Sequence, residues 1–283
     1  MKIFITGAAG LVGRHLAQRL AREHEVVALK HGDLDITDAD AVRRRVTEAN
    51  PELIVNGAVL QVDECESDPV RARAVNSDGP RYLAAAASDV GAKIIHFSTQ
   101  YAFAGEPVGR FPYTIRDQPR PVNVYGKTKV DGELAVRHAC ARSFVIRTSW
   151  VFGSGKSSFL CTAADDLRAG KRLRAIDDIW SSASYVEDLI DRTMEIQAKG
   201  RYGVYHIVNA GVCSYYEFAL EAGRLRGIAR DEIDRLIEVI HERDMQRPAA
   251  RPRYTPMRCV LSEELSLPPM RRWQDALAEY VRA

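Results

Sequence analysis

The stretch "KIFITGAAGLVGRHLAQRLAREH", residues 2–24, holds a strand, a turn and a helix in one reading frame. Residues 2–6, "KIFIT", form a short apolar run, the pattern of a strand covered on both faces. "LVGRHLAQRLAREH" then repeats its apolar residues at helical spacing. Between the two, "TGAAGLVG" sets Gly7, Gly10 and Gly13 three residues apart. Glycines at such a junction permit a tight turn, a close approach of backbone to a pyrophosphate and close helix–strand packing. The helix start turns its free N–H groups and positive dipole end toward that turn. A glycine-rich turn alone is weak evidence, but the first strand–helix junction is the context a dinucleotide site requires. The expected cofactor contacts here are Gly7, Gly10, Leu11, Val12 and Gly13.

Working outward, strand and helix signals alternate through the first half. Apolar strand runs fall at 25–29, 52–58, 92–99 and 143–149, with a late one at 205–208. Helical patterns fall at 38–51, at 69–91 ending on Gly91, and at 123–140. Near-continuous apolar strands separated by helices predict an α/β fold, a Rossmann-like doubly wound parallel sheet with a smaller C-terminal α/β substrate lobe. Residues 1–152 are expected to form the NADP(H)-binding Rossmann domain, with about 185–210 returning to it. Residues 153–283 then form mainly the substrate-binding lobe. Residues 213–260 read as helices and a proline-rich segment, "RPAARPRYTP".

Bulk properties exclude several classes of function. A formal net charge of +2 over 283 residues gives no dedicated nucleic-acid or membrane surface. The basic run Arg43–Arg45 sits in a short helical pattern and reads as its solvated face. No apolar run reaches the ~18 residues of a membrane span. The opening residues lack a signal-peptide pattern and are better read as a first strand. The five cysteines, at 65, 140, 161, 213 and 259, are odd in number and show no metal-ligand spacing. Plain thiols in a reducing cytoplasm are expected.

The end of the second strand bears on the cofactor. Sites for NAD usually carry an acidic residue there, to hold the ribose 2′-hydroxyl. This chain has Lys30 and His31, which favours a 2′-phosphate and so NADPH, with NADH as the alternative. A solvated lysine at a strand end is the plainer reading of Lys30.

Tyr125 and Lys129, in "PVNVYGKTKVDGELAV" (121–136), are four apart on one helical face. A phenol with a pKa near ~10 is poorly matched to acid–base work near neutrality. A lysine ammonium, the nearby helix start and a nicotinamide cation would each favour its ionised form. Tyrosine so placed can give a proton to a carbonyl oxygen as hydride reaches the carbon. "FSTQ" also puts Ser98 and Thr99 at the C-terminal end of a strand, where open α/β sheets bind ligands.

With these motifs in order, the chain resembles the extended short-chain dehydrogenase/reductases, and within them the dTDP-4-dehydrorhamnose reductase family. The likeness spans nearly the whole chain, through "TGAAGLVG", "DLDITD", "PELIVNGAVLQVDECESDP", "VNSDGPRYLAAAASDVGAKIIHFSTQYAF", "PVNVYGKTKVDGE" and "VIRTSWVFG". It implies NADPH-dependent reduction of the 4-keto group of a nucleotide-linked deoxysugar, dTDP-4-dehydro-L-rhamnose first. Thr99, Tyr125 and Lys129 become the catalytic set: Tyr125 the acid, Lys129 its tuner and a ribose ligand, Thr99 a hydroxyl that polarises the carbonyl. Asp35 and Ile36 match adenine-side contacts. Gly57, Ala58 and Val59 match the cofactor-lining turn after the third strand, and Asn76 a helix asparagine that supports the cofactor site. On the sugar side the resemblance implies Gln100, Trp150, Asp178 and Arg251. Trp150 reads equally as a core aromatic, and Arg251 equally as a surface ion pair.

The departures from the family are specific. Sugar-nucleotide dehydratases carry acidic residues after the threonine; here Gln100 and Tyr101 follow, and glutamine cannot trade a proton near neutrality. Reduction without dehydration is expected. The family's "DQFGxPT"-like loop reads "DDIWSSAS" (177–184), with Ser181 and Ala183 where glycine and proline stand. Some members dimerise through a magnesium held by glutamates; His15 falls at one of those positions and Glu187 at another, so no metal is expected. The family leaves a homodimer open. The competing readings are a reductase for a different nucleotide keto-sugar, and a non-catalytic NADP-binding regulatory subunit resembling the methionine adenosyltransferase β subunit.

Overall fold

The computed structural model describes residues 1–106 and 111–282. Its first half alternates strand and helix as expected. The strands are β1 (Lys2–Thr6), β2 (Glu25–Leu29), β3 (Leu53–Asn56), β4 (Lys93–Thr99) and β5 (Ser143–Thr148). The helices between them are α1 (Leu11–Leu20), α2 (Ala39–Ala49), α3 (Val62–Ser67), α4 (Pro69–Arg73), α5 (Gly79–Asp89) and α6 (Val124–Ala139). Beyond β5 come β6 (Val151–Phe152), α7 (Phe159–Arg168), β7 (Leu173–Ile176), β8 (Trp180–Ser181), β9 (Ser184–Tyr185), α8 (Val186–Lys199) and β10 (Gly203–His206). The chain closes with β11 (Cys213–Ser214), α9 (Tyr215–Leu225), α10 (Arg230–Leu236), β12 (Ile237–Ile240), α11 (Val260–Glu264) and α12 (Trp273–Arg282).

Six strands form one parallel sheet in the order β10-β5-β4-β3-β1-β2. The chain order reverses between β1 and β3, which opens a crevice at their C-terminal ends. Alternate strand residues feed opposite faces. Ile3, Ile5, Leu53, Val55, Ile95 and Phe97 pack with α1 and α8; Phe4, Ile54 and Ile94 pack with α2 and α5. Both faces are therefore core, which is why these strands read as unbroken apolar runs. Each buried aliphatic side chain contributes roughly 1.5–3 kcal/mol to that packing.

Two differences from the sequence reading have local causes. The helical pattern at 69–91 is α4, a π-helical turn over Ala74–Asp78, and α5. Pro80, in the first turn of α5, has no N–H to give the turn before it, so the α ladder cannot run straight through. The turn also lies tight on α6: a Cβ at Gly132 would sit 2.2 Å from the Asn76 carbonyl oxygen. The second difference is β12, a strand inside a stretch read as helical, which pairs parallel with β7. Two further short ladders, β8 with β11 and β6 with β9, occur in the same half. Among the described residues, no helix is long and apolar enough to cross a membrane.

Candidate active site

The glycine turn is built for close approach. Gly7 has φ +70, and a Cβ there would lie 2.4 Å from the Gly57 carbonyl carbon. A Cβ at Gly13 would lie 2.3 Å from the Gly7 carbonyl oxygen. Gly10 caps α1 without a side chain, and the first turn holds no acidic residue. The first-turn N–H groups, which a helix cannot bond internally, are thus offered to the cleft beside the positive dipole end. This cradle fits a pyrophosphate.

Two adjoining cavities of about 390 and 430 Å³ run along the C-terminal ends of the strands. Gly10, Gly57, Ala58 and Val59 line both. The first cavity is bordered by Lys30, His31, Asp35, Ile36 and Arg71. Lys30 is exposed at its rim. Asp35 accepts from the Thr37 N–H at 2.9 Å and hydroxyl at 2.8 Å, and that backbone bond holds its carboxyl below the ordinary range. Arg71, on α4, adds a second cation that the sequence reading did not single out.

The second cavity brings together Leu11, Val12, Gly13, Thr99, Gln100, Tyr125, Lys129 and Trp150. Thr99 ends β4; its hydroxyl donates to the Gln100 side-chain oxygen at 3.1 Å and accepts from the Tyr101 N–H at 3.1 Å. Asn123 caps α6 by accepting from the Gly126 N–H at 2.8 Å, and this fixes where Tyr125 leaves the helix. The Tyr101 ring stands edge-on to Tyr125 at 5.5 Å. Lys129 is buried, and its amine donates to the Phe97 carbonyl at 2.6 Å and lies 3.3 Å from His96 Nε2. Burial pushes that amine down to about 8, against the opposing charge of Glu133.

The expected tuning of Tyr125 is corrected. Its phenol is raised well above the ordinary range, by burial first, with a Thr99 hydrogen bond opposing. Lys129, turned toward β4, does not offset that burial.

Asn76 supports the cleft from behind and does not touch it. It lines neither cavity; its amide holds Leu60 through both backbone groups, at 2.9 and 3.2 Å, and reaches Thr128 at 3.4 Å. It braces the β3 turn against α6 and makes no wall of the cofactor cleft.

Gln100, Tyr101, Trp150, Tyr215, Arg247 and Arg251 surround a small adjoining cavity, where the residues expected to meet the sugar fall. Trp150 has φ +41 and lies against the Tyr215 ring at 4.0 Å. A bulky residue in the left-handed region costs about 1–3 kcal/mol, and such strain gathers at functional sites. Arg251 is neither free nor on the open surface. Its guanidinium grips Asp63 with two bonds of 2.7 Å at 8% exposure, and so holds that carboxyl below its ordinary range. Asp178 stands apart from these cavities: it accepts from the Glu242 N–H at 2.8 Å and lies 3.8 Å from Arg253. Ser181 and Ala183 impose no left-handed backbone. Ser181 is buried instead, hydroxyl to hydroxyl with Ser149 at 2.7 Å and with Thr255 at 3.1 Å.

The magnesium position of the family does not fit here. His15 Nδ1 meets Glu187 at 2.6 Å, His15 Nε2 meets the Ser154 carbonyl at 3.0 Å, and Arg19 takes the other Glu187 oxygen at 3.1 Å. These donors are spent on one another. Asp177, Asp178 and His241 also gather metal-type atoms, within 4.8 Å, with His241 already paired to Asp177 at 3.0 Å.

Sheet order, glycine cradle and the threonine–tyrosine–lysine set define an extended short-chain dehydrogenase/reductase. The chain belongs to the family described as RmlD substrate binding domain, whose model matches residues 1–283. It is 40% identical over 286 residues to the dTDP-4-dehydrorhamnose reductase of Mycolicibacterium smegmatis, covering 100% of this chain and 85% of that protein. It is 34% identical over 278 residues to the dTDP-4-keto-6-deoxy-D-glucose reductase of Streptomyces niveus, covering 97% and 94%. The crystal structure of dTDP-4-dehydrorhamnose reductase from Bacillus anthracis in complex with NADP superimposes with a TM-score of 0.91, at 28% identity, over 99% of this chain and 98% of that one.

Proposed function

We propose that this chain reduces the 4-keto group of a dTDP-linked deoxysugar with NADPH, and that dTDP-4-dehydro-L-rhamnose, giving dTDP-L-rhamnose, is its substrate. The observation that carries the proposal is one cavity in which Thr99, Tyr125 and Lys129 meet the glycine cradle, with Gln100 where dehydratases carry an acid.

The α1 N-terminus with Gly7, Gly10, Leu11, Val12 and Gly13 takes the pyrophosphate. Lys30 and Arg71 flank the adenosine end, where a 2′-phosphate meets two cations; Asp35 and Ile36 border the base. Gly57, Ala58 and Val59 form the wall between the two halves of the cofactor. NADPH supplies the hydride that reaches the sugar C4. Tyr125 is protonated at neutral pH, as an ordinary phenol is, and burial disfavours the phenolate further. That proton is available to the ketone oxygen as negative charge develops there, and Thr99 offers a second hydroxyl to the same oxygen. Gln100 can hold the sugar but cannot remove a proton from it, so no water leaves. Trp150 supplies an aromatic face, and the Arg251–Asp63 pair a fixed polar edge, to the nucleotide sugar. Residues 1–152 with the return strand β10 serve the cofactor, and most of 153–283 the sugar.

The test is a panel of dTDP-4-keto sugars with NADPH or NADH, scored by product identity. Fastest conversion of dTDP-4-dehydro-L-rhamnose with NADPH supports the full reading. Turnover of another dTDP-4-keto sugar alone moves the substrate within the class. No turnover of any, with NADPH bound, refutes it.

A further inference from the structure

The loop "DDIWSSAS" carries a hydroxyl at Ser181, where its family has glycine. That hydroxyl is buried where three segments meet. Ser149, Ser181 and Thr255 are each no more than 2% exposed. Ser149 precedes Trp150, Ser181 ends β8, and Thr255 follows Arg251 and Pro252. Trp150, Arg251, Pro252 and Thr255 all border the small cavity. The Thr255 N–H also meets the Trp180 carbonyl at 2.9 Å, which ties its segment to β8.

Each hydroxyl has one hydrogen to give. The Ser149 oxygen lies 2.7 Å from the Ser182 carbonyl oxygen and 2.7 Å from the Ser181 oxygen. A carbonyl can only accept, and two oxygens this close with no hydrogen between them repel, so Ser149 donates to Ser182. Ser181 must then give its hydrogen to Ser149, and its longer contact of 3.3 Å with the Thr255 carbonyl carries none. The Thr255 hydroxyl donates to Ser181 at 3.1 Å. The hydrogens thus run one way, from Thr255 to Ser181 to Ser149 to the Ser182 carbonyl. Removing the middle hydroxyl takes the acceptor from Thr255 and the donor from Ser149 at once.

This series ends beside a backbone that needs holding. Trp150 has φ +41, a conformation a bulky residue keeps only where its surroundings fix it. The 181–184 loop holds it from both sides. On the preceding residue, the Ser149 side chain is bonded to Ser181 and Ser182. On Trp150 itself, the carbonyl accepts from the Ser184 N–H at 3.2 Å, and β6 then pairs with β9. Between these two holds the indole lies against Tyr215.

We propose that Ser181 is a positioning residue: through Ser149 it holds Trp150 in the left-handed conformation, and so sets where the indole face meets the sugar of the substrate. The consequence for the sugar rests on the proposed keto-sugar reaction; the hold on Trp150 does not. A glycine at 181 has no oxygen to offer Ser149.

The experiment has two arms, so that its failure is distinct from failure of the reaction. The first uses no substrate. Crystal structures of the unaltered chain and of Ser181→Ala give the Trp150 φ and ring position. Indole ¹H–¹⁵N correlations follow the same change in solution, with Trp150→Phe to assign the peak and Trp273, on α12, as reference. The second arm is steady-state reduction of dTDP-4-dehydro-L-rhamnose, with calorimetric NADPH affinity alongside. The expected results are a positive φ at Trp150 in the unaltered chain, and a relocated indole with a moved or doubled peak in Ser181→Ala. The sugar KM rises at least about fivefold, the scale of one lost hydrogen bond, with kcat and NADPH affinity within about twofold. Ser149→Ala removes the same bonds from the other end and gives the same result, which keeps the test decisive if Ser181→Ala fails to fold. Trp150 outside the left-handed region in the unaltered chain, or unmoved in both variants, overturns the proposal. So does a loss of kcat at constant KM. If the unaltered chain turns over no dTDP-4-keto sugar, the proposed reaction has failed and the first arm alone decides the hold on Trp150.

Discussion

Replacing Glu133 by Gln leaves the Arg147 guanidinium with half its support. The two side chains are 4% and 6% exposed and joined by bonds of 2.9 and 2.6 Å, and Ser98 donates a third bond of 2.5 Å to the carboxylate. The pair ties β4, β5 and α6 together beneath the reactive residues. Removing one partner of a buried pair costs about 3–5 kcal/mol, because the remaining charge stays out of water. With a urea dependence of about 3 kcal/mol per molar, the unfolding midpoint of Glu133→Gln falls by roughly 1–1.7 M. The double change Glu133→Leu with Arg147→Met removes both charges and recovers most of that loss. It retains about 1 kcal/mol of deficit from the orphaned Ser98 hydroxyl. Urea titration followed by circular dichroism reads all three proteins. A Glu133→Gln midpoint within about 0.3 M of the unaltered protein, or a double variant no better than the single one, refutes the reasoning.

Three further outcomes follow from the geometry. Gly13→Ala drives a Cβ to 2.3 Å from the Gly7 carbonyl oxygen, so the turn must open; calorimetric NADPH affinity drops by about 1–3 kcal/mol or more. Lys30→Ala weakens NADPH by about 1.5 kcal/mol, the scale of one charge-assisted bond, and leaves NADH nearly unchanged when both are titrated. Lys129→Met abolishes turnover yet stabilises the fold. The folded amine titrates about 8 against an ordinary 10.5, so between those values the unfolded chain binds more protons and stability rises with pH. Below that window the lysine costs up to ~3 kcal/mol, so the Met variant gains about that at pH 7, and its advantage shrinks toward pH 10.5 in urea titrations.

Much of the fold was legible because its signals are local. The apolar runs of β1, β3, β4 and β5 and the glycine junction need no tertiary information, and the helical pattern at 123–140 starts where Asn123 caps α6. The same holds for Tyr125 and Lys129, whose spacing places them on one helical face. What was hidden depends on partners far along the chain. β12 is a strand because β7 lies beside it, and "RLIEVI" alone permits a helix. The π-helical turn at Ala74–Asp78 follows from Pro80 and the close approach to Gly132. Arg251 looked free to meet a phosphate because Asp63 lies 188 residues away. Asp178 looked like a wall of the sugar site, but its carboxylate is taken by the chain at Glu242. Asn76 was placed in the right region, but the partner it holds, the Leu60 backbone, could not be read from the sequence. His96 left a signal that could have been followed: a polar residue inside the apolar run "KIIHFST", level with Asn56 and Thr6 at the ends of neighbouring strands.

The most direct test of the account is isotopic. NADPH carrying deuterium at its transferable position is incubated with dTDP-4-dehydro-L-rhamnose and either the unaltered chain or Tyr125→Phe, and the product is examined by NMR. The account predicts one deuterium at the sugar C4 with the unaltered chain. It predicts a rate lower by about 10²–10⁴ in Tyr125→Phe, the usual contribution of a general acid, with NADPH affinity kept. Deuterium at any other carbon, or transfer by Tyr125→Phe at the unaltered rate, contradicts it.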